Sequence, residues 1–175
     1  MTPARAGELA RALPPFVSPV LLFVNATPQE IDAALQEVPN AVLQFHGDES
    51  AAQCRAVGRP YLRAARMGEG FDLLDCAAQF HDAQALLLDA LVEGYGGGGK
   101  AFDWSTIPLG VPLPVVLSGG LNPANVTDGV LRVRPWAVDV SSGVESAKGI
   151  KDATLIRRFC EAVREADARI ADTES

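Results

Sequence analysis

Short apolar runs alternate with amphipathic segments along almost the whole chain. Apolar runs of strand length fall at residues 18–24, 41–45, 60–66, 85–88, 114–117 and 136–140. Between and around them, helices are predicted over residues 4–13, 29–36, 50–57, 71–80, 122–131 and 152–168. Thr2-Pro3 and Thr27-Pro28 each put an N-cap hydroxyl before a proline in the first turn. Ile31 and Leu35 share a helix face at i, i+4, and Leu155, Ile156, Phe159, Val163 and Ala166 repeat at helical spacing. Strict alternation of strand and helix, with strands apolar on both faces, predicts a parallel sheet covered by helices. No linker or second domain interrupts the pattern, so residues 1–175 are expected to form a single domain.

In such a sheet the functional residues belong at the C-terminal ends of the strands. Those ends carry Asn25, His46-Gly47-Asp48, Arg66, Asp89, Ser118-Gly119-Gly120 and Ser141-Ser142-Gly143. Polar residues at the ends of apolar strands imply one common face.

Composition narrows the class. The chain is 48% hydrophobic but only 6% aromatic, so its core is aliphatic. Fifteen basic residues against 22 acidic ones give a net charge of −7, and an acidic chain with no basic cluster repels a nucleic-acid backbone. The three cysteines, Cys54, Cys76 and Cys160, have no metal-ligand spacing and suggest no disulfide framework; a reducing cytoplasm suits them. No stretch is long and apolar enough to suggest a membrane span, and no targeting signal is visible.

The run Pro114-Val115-Val116-Leu117 enters Ser118-Gly119-Gly120, and Asn122-Pro123 then reads as a helix start. A turn of that kind offers free N–H groups and a helix dipole to an anion, most often a phosphate. It also describes a plain βα connection in which glycine only permits the turn. The neighbouring strand ends in Ser141-Ser142-Gly143, and paired loops after the last two strands are a recurring phosphate site of β/α barrels. Lys148, a little further on, adds either ligand charge or a solvated surface ammonium, and the second is the commoner role. Asp89, after four apolar residues, suits a general acid with a raised pKa, although on spacing alone a cap or loop anchor is the plainer role. Gly94-Tyr95-Gly96-Gly97-Gly98-Gly99-Lys100 lacks the Ser or Thr of a Walker loop and reads as a mobile flap, with Lys100 a candidate ligand contact. His46 suits either a structural hydrogen bond or a base; His81, beyond a helix end, receives no role.

Five ordered segments carry a family resemblance: Leu43-Gln44-Phe45-His46-Gly47-Asp48-Glu49, Leu87-Leu88-Asp89, Gly97-Gly98-Gly99-Lys100-Ala101-Phe102-Asp103-Trp104, Leu117-Ser118-Gly119-Gly120-Leu121-Asn122-Pro123-Ala124-Asn125-Val126 and Val138-Asp139-Val140-Ser141-Ser142-Gly143-Val144-Glu145. Together they resemble the phosphoribosylanthranilate isomerases of tryptophan biosynthesis, over essentially the whole chain. Gly98 departs slightly, because the family more often has a threonine or serine in that glycine loop. The resemblance implies a (β/α)8 TIM barrel and an Amadori rearrangement of N-(5′-phosphoribosyl)anthranilate, with no metal and no organic cofactor. It implies Asp89 as the general acid that opens the furanose ring. It makes Ser118, Gly119, Gly120, Ser141, Ser142 and Gly143 the grip on the substrate phosphate. The expected partner is thus a small phosphorylated substrate, not nucleic acid and not a membrane. Other phosphate-binding barrels, such as indole-glycerol-phosphate synthase, and a non-catalytic phosphate-binding remnant are the alternatives.

The family's general base is a cysteine in a Lys-Ile-Cys-Gly-type motif on the first strand, and an arginine after the second strand contacts the anthranilate carboxylate. Neither motif occurs here, and none of the three cysteines matches that context. The resemblance therefore implies an incomplete barrel of six strands, short of a βαβ segment of roughly 40 residues. A late start codon explains that better than a decayed paralogue, and mass spectrometry of the native N-terminus separates the two. Six strands cannot close an eight-strand barrel, so the strands at 18–24 and 136–140 each lose a neighbour. The 175-residue product expressed alone is expected to be poorly soluble and devoid of isomerase activity; measurable turnover by the purified product overturns this.

Overall fold

The computed structural model describes residues 1–90 and 101–174. Six parallel strands form one sheet in sequential order: β1 (Val20–Phe23), β2 (Val42–Phe45), β3 (Tyr61–Met67), β4 (Ala85–Ala90), β5 (Val115–Leu117) and β6 (Ala137–Val138). The helices α1 (Pro3–Arg11), α2 (Pro28–Glu37), α3 (Ala51–Ala56), α4 (Leu73–Gln79), α5 (Val126–Val133) and α6 (Ala153–Glu174) alternate with them. The strand–helix order matches the periodicity of the sequence, and the sheet curls as a partial barrel. Among the described residues, no helix is long and apolar enough to cross a membrane.

Local chemistry sets most helix starts. Thr27 accepts from the Glu30 amide while the Glu30 carboxylate accepts from the Thr27 amide, a reciprocal cap that Ser50 and Gln53 repeat on α3. Thr2 and Asp72 cap α1 and α4 through their side chains.

Alternation within the strands divides the core in two. Tyr61, Ala65 and Met67 of β3 and Leu86 and Leu88 of β4 point outward and are buried under the helices with Leu43, Phe45, Leu73 and Phe80. Ala64, Ala85, Leu87 and Val116, with Leu62 and Ala137 packed against them, point inward and fill the concave side. The expectation of strands apolar on both faces needs correction here. Along the inward rows the composition changes toward the strand C-termini, where Gln44, His46, Asp89, Ser118 and Asp139 replace the aliphatic residues. Only the lower part of the interior is apolar, because the upper part is a cavity wall.

Three local differences from the expected elements matter for the site. β4 continues to Ala90, so Asp89 lies inside the strand and pairs in register with Arg66 of β3. The strand expected over 136–140 is regular only at Ala137–Val138, although the Asp139 amide still donates to the Leu117 carbonyl at 2.8 Å, and Asp139 and Val140 line the cavity. An antiparallel hairpin, β7 (Glu145–Ala147) with β8 (Ile150–Lys151), follows β6; its short, exposed strands have no apolar alternation to announce them.

β1 and β6 are the sheet's edges, and Val20 and Leu22 of β1 remain 48% and 54% exposed. The end of β1 is held by polar contacts instead. The Asn25 amide donates to Glu49 Oε1 at 2.6 Å, and Asn25 Oδ1 accepts from the Asp48 amide at 2.7 Å. Asn25 adopts a left-handed φ of 53°, and a Cβ at Gly47 would lie 2.4 Å from Asn25 Oδ1, so the β1 and β2 turns are in contact. Arg63 of β3 completes the joint. Its guanidinium donates to Glu49 Oε2 at 3.1 Å and to Gly47 O at 2.9 Å, and it sits 4.8 Å from the centre of the Phe80 ring. The Arg63 and Glu49 side chains are only 12% and 6% exposed, so loss of one strands the other. Arg63→Met is expected to destabilise the protein by about 3–5 kcal/mol, read by urea unfolding, because Glu49 is left buried without its cation. A change within experimental error shows that the pair carries no structural load.

Candidate active site

The inward rows end in a cavity of about 430 Å³ at the C-terminal side of the sheet. Its wall includes Gln44 and His46 from β2 and its turn, Asp89 from β4, Ser118, Gly119 and Gly120 after β5, and Asp139, Ser141, Ser142 and Gly143 after β6. All the residues singled out as acid and phosphate grip are therefore brought together. A larger cleft, of about 680 Å³, lies beside β3 and α4 and contains Arg63 and Arg66 but neither glycine loop.

The first glycine loop lies directly on the acid. A Cβ at Gly119 would fall 2.3 Å from the Ala90 amide nitrogen and 2.9 Å from Asp89 Oδ1, and Gly119 has a φ of +73°. Both facts demand glycine at that position. The second loop closes on the first, since a Cβ at Gly143 would lie 1.8 Å from the Leu121 carbonyl oxygen. Neither Gly119 nor Gly120 donates a backbone hydrogen bond within the described residues. The Gly120 carbonyl is occupied, accepting from the side-chain amides of Asn125 at 3.0 Å and Asn122 at 3.4 Å.

The helix start expected at Asn122 is displaced to Val126. Asn122 Oδ1 accepts from the Ala124 amide and Asn125 Oδ1 from the Asn122 amide, each at 2.8 Å, so the side chains build a turn that competes with helix. Among the described residues, the Gly119 and Gly120 amides of this loop are unpaired, and the N-terminus of α5 lies further along the chain. After β6, a single 3-10 turn, Ser142–Val144, presents the second loop. Ser118 is buried and its hydroxyl donates to Asp139 Oδ2 at 2.8 Å, which ties the first loop to β6.

Asp89 is half-buried, and its Oδ1 accepts from the Ala90 amide at 2.9 Å. Burial raises its pKa above the ordinary carboxylate range; His46, the Ala90 amide and Arg66 oppose the shift, and Asp139 adds to it. Burial also dominates at His46, where it lowers the pKa despite the opposing charges of Asp89 and Asp139. His46 Nε2 has no hydrogen-bond partner among the described residues. The turn carrying His46 is clamped from outside, because Arg66 Nη2 donates to the His46 carbonyl at 2.6 Å.

Sequence reasoning missed Asp139 and Lys151. Asp139 stands between two valines and ends no apolar run; counting alternate residues from Ala137 places it inward, in the row that also supplies the cavity. Lys151 lines the cavity from β8, whereas Lys148 is exposed and does not. Lys100 and the glycine run 94–99 lie outside the described residues. The cysteines stand apart from the cavity lining: Cys54 and Cys76 are buried beneath helices, where burial raises their pKa values, that of Cys54 to about 11, and Cys160 is on exposed α6.

A curled parallel sheet with helices outside, and an acid and two glycine loops at its strand C-termini, defines a β/α-barrel protein. The chain belongs to the N-(5′-phosphoribosyl)anthranilate isomerase family: the model described as "PRAI: N-(5'phosphoribosyl)anthranilate (PRA) isomerase" matches residues 3–162. The N-(5′-phosphoribosyl)anthranilate isomerase of Leptothrix cholodnii is 73% identical over 172 residues, covering 98% of this chain and 78% of that protein. The crystal structure of phosphoribosyl anthranilate isomerase from Thermotoga maritima superposes with a TM-score of 0.83 at 37% identity, covering 94% of this chain and 82% of that one. Another structure of the enzyme, in complex with reduced 1-(o-carboxyphenylamino)-1-deoxyribulose 5-phosphate, gives a TM-score of 0.79 at 34% identity, covering 94% and 80%.

The raised pKa of Asp89 fixes the sign of a stability effect. The fold favours the protonated carboxyl, so the associated stability is fully present below the unfolded pKa and lost as pH rises through the folded one. Asp89→Asn, which cannot ionise, is expected to melt above the parent at neutral pH, and the gap should close below about pH 4. A gap that widens toward acid contradicts the assignment of burial as the cause.

Proposed function

We propose that this chain serves the isomerisation of N-(5′-phosphoribosyl)anthranilate to 1-(2-carboxyphenylamino)-1-deoxyribulose 5-phosphate. The observation that carries it is the contact between Gly119 and Asp89, which puts an acid against one half of a phosphate grip. In this reading the Gly119, Gly120, Ser142 and Gly143 backbone, with Ser118 and Ser141 holding the two loops in place, receives the 5′-phosphate. Family membership and the phosphorylated ligand of a related structure support that assignment.

With the phosphate anchored, the furanose ring oxygen is presented to Asp89. Burial raises the Asp89 pKa and so favours the protonated carboxyl, which delivers its proton as the C1′–O bond breaks. The electron pair of the anthranilate nitrogen forms the protonated imine. Removal of the C2′ proton then gives the enamine, which tautomerises to the aminoketose. The three cysteines do not supply the base for that step, since none of them lines the cavity. Free thiols and the biosynthetic role of the family suit a cytoplasmic enzyme.

In a protein that also carries the family's first-strand base, Asp89→Asn is expected to lower kcat by about 10²- to 10⁴-fold while product still binds. The parent's kcat should fall as pH rises through the raised pKa of Asp89, because only the protonated form acts. An Asp89→Asn variant with near-parental turnover removes Asp89 from the chemistry and leaves a binding role.

A further inference from the structure

Among the described residues, four ionisable ones line the cavity: His46, Asp89, Asp139 and Lys151. Two are carboxylic acids, and burial holds the histidine toward its neutral form. A bound phosphate monoester adds roughly −1.5 to −2 charges to that wall. Lys151 is thus the cation that the cavity lining offers among the described residues.

Its position is specific. Lys151 Nζ donates to the Ser141 carbonyl at 2.8 Å, to Ser141 Oγ at 3.3 Å and to Glu145 Oε1 at 2.8 Å. All three ammonium protons are used, two of them on the first residue of the second glycine loop. Glu145 has a second donor, the Gly149 amide, which reaches Oε2 at 3.0 Å. It therefore keeps a partner if Lys151 turns away. The β7–β8 hairpin places these groups beside the loop, with Glu145 and Lys151 opposite each other in register.

We propose that Lys151 is a phosphate-binding residue held in reserve by Glu145. In the free site its ammonium bridges Ser141 and Glu145. When a phosphorylated ligand occupies the loops, the ammonium keeps Ser141 and exchanges the Glu145 carboxylate for a phosphate oxygen. Glu145 then competes with the ligand for the same cation. This rests on the phosphate reading of the 118–120 and 141–143 loops.

Calorimetric titration of the full protein with inorganic phosphate tests it, in the parent and in Lys151→Met, Lys151→Arg and Glu145→Gln. The dissociation constant should rise about tenfold in Lys151→Met, as expected for one lost charge-assisted bond, and stay within threefold in Lys151→Arg. Glu145→Gln should bind phosphate as tightly as the parent or more tightly, because the competitor is gone. Added salt should weaken the parent more than Lys151→Met. Unchanged affinity in Lys151→Met overturns the inference while leaving the phosphate reading intact. Weakened binding in Glu145→Gln also overturns it, and reduces the pair to a structural tether, even if Lys151→Met does not fold. A parent that fails to bind phosphate, with its melting temperature intact, overturns the phosphate reading and the inference together.

Discussion

Two backbone contacts that exclude any side chain govern the site. Gly119 lies on the Ala90 amide and the Asp89 carboxylate, and Gly143 lies on the Leu121 carbonyl. A methyl group at either place would have to push backbone against backbone, at the Ala90 amide nitrogen and at the Leu121 carbonyl oxygen. The ends of β4, β5 and β6 therefore form one joined surface instead of three separate loops. Its geometry follows from the packing of main chain, which is stiffer than the packing of side chains. The bond from Ser118 to Asp139 adds a polar tie across the same junction.

The opposite side of the cavity is held by charge. Arg63 reaches Glu49 and the Gly47 carbonyl, Glu49 reaches the Asn25 amide, and Arg66 reaches the His46 carbonyl. These contacts join the ends of β1, β2 and β3. They matter at β1 because it is a sheet edge whose inward residues Val20 and Leu22 are half-exposed, while Leu21 and Phe23 pack against the core. The turn that carries His46 is thus positioned by groups outside the cavity, and His46 Nε2 has no hydrogen-bond partner among the described residues.

Burial separates the roles of the two central titratable groups. It raises Asp89 and lowers His46, so both are driven toward their neutral forms in the same cavity. At Asp89 burial outweighs the pull of His46, the Ala90 amide and Arg66, which favours the protonated carboxyl that a general acid needs. The apolar lower half of the barrel interior is what makes that desolvation effective, since Ala64, Leu87 and Val116 close the floor.

The sheet order, the alternation of helices and the location of the site at the strand C-termini were all legible in the sequence. Each depends on short-range periodicity and on capping residues such as Thr27 and Ser50. Asp89 and the two glycine loops were legible for the same reason, as polar breaks in apolar runs. Asp139 and Lys151 were not. Asp139 follows Ala137 on the inward row but stands between two valines and ends no apolar run, and Lys151 arrives through a hairpin of exposed residues with no hydrophobic pattern. Nor could composition show that Asn122 and Asn125 delay α5, because their side chains close a turn on the local backbone in place of the first helical turn. By itself the sequence determined the elements and their parallel order, and it marked Asp89 and the two glycine loops as candidates at the strand ends. The tertiary structure alone decided which groups meet, because contacts such as Gly119 with Asp89 and Gly143 with Leu121 join residues far apart in the chain.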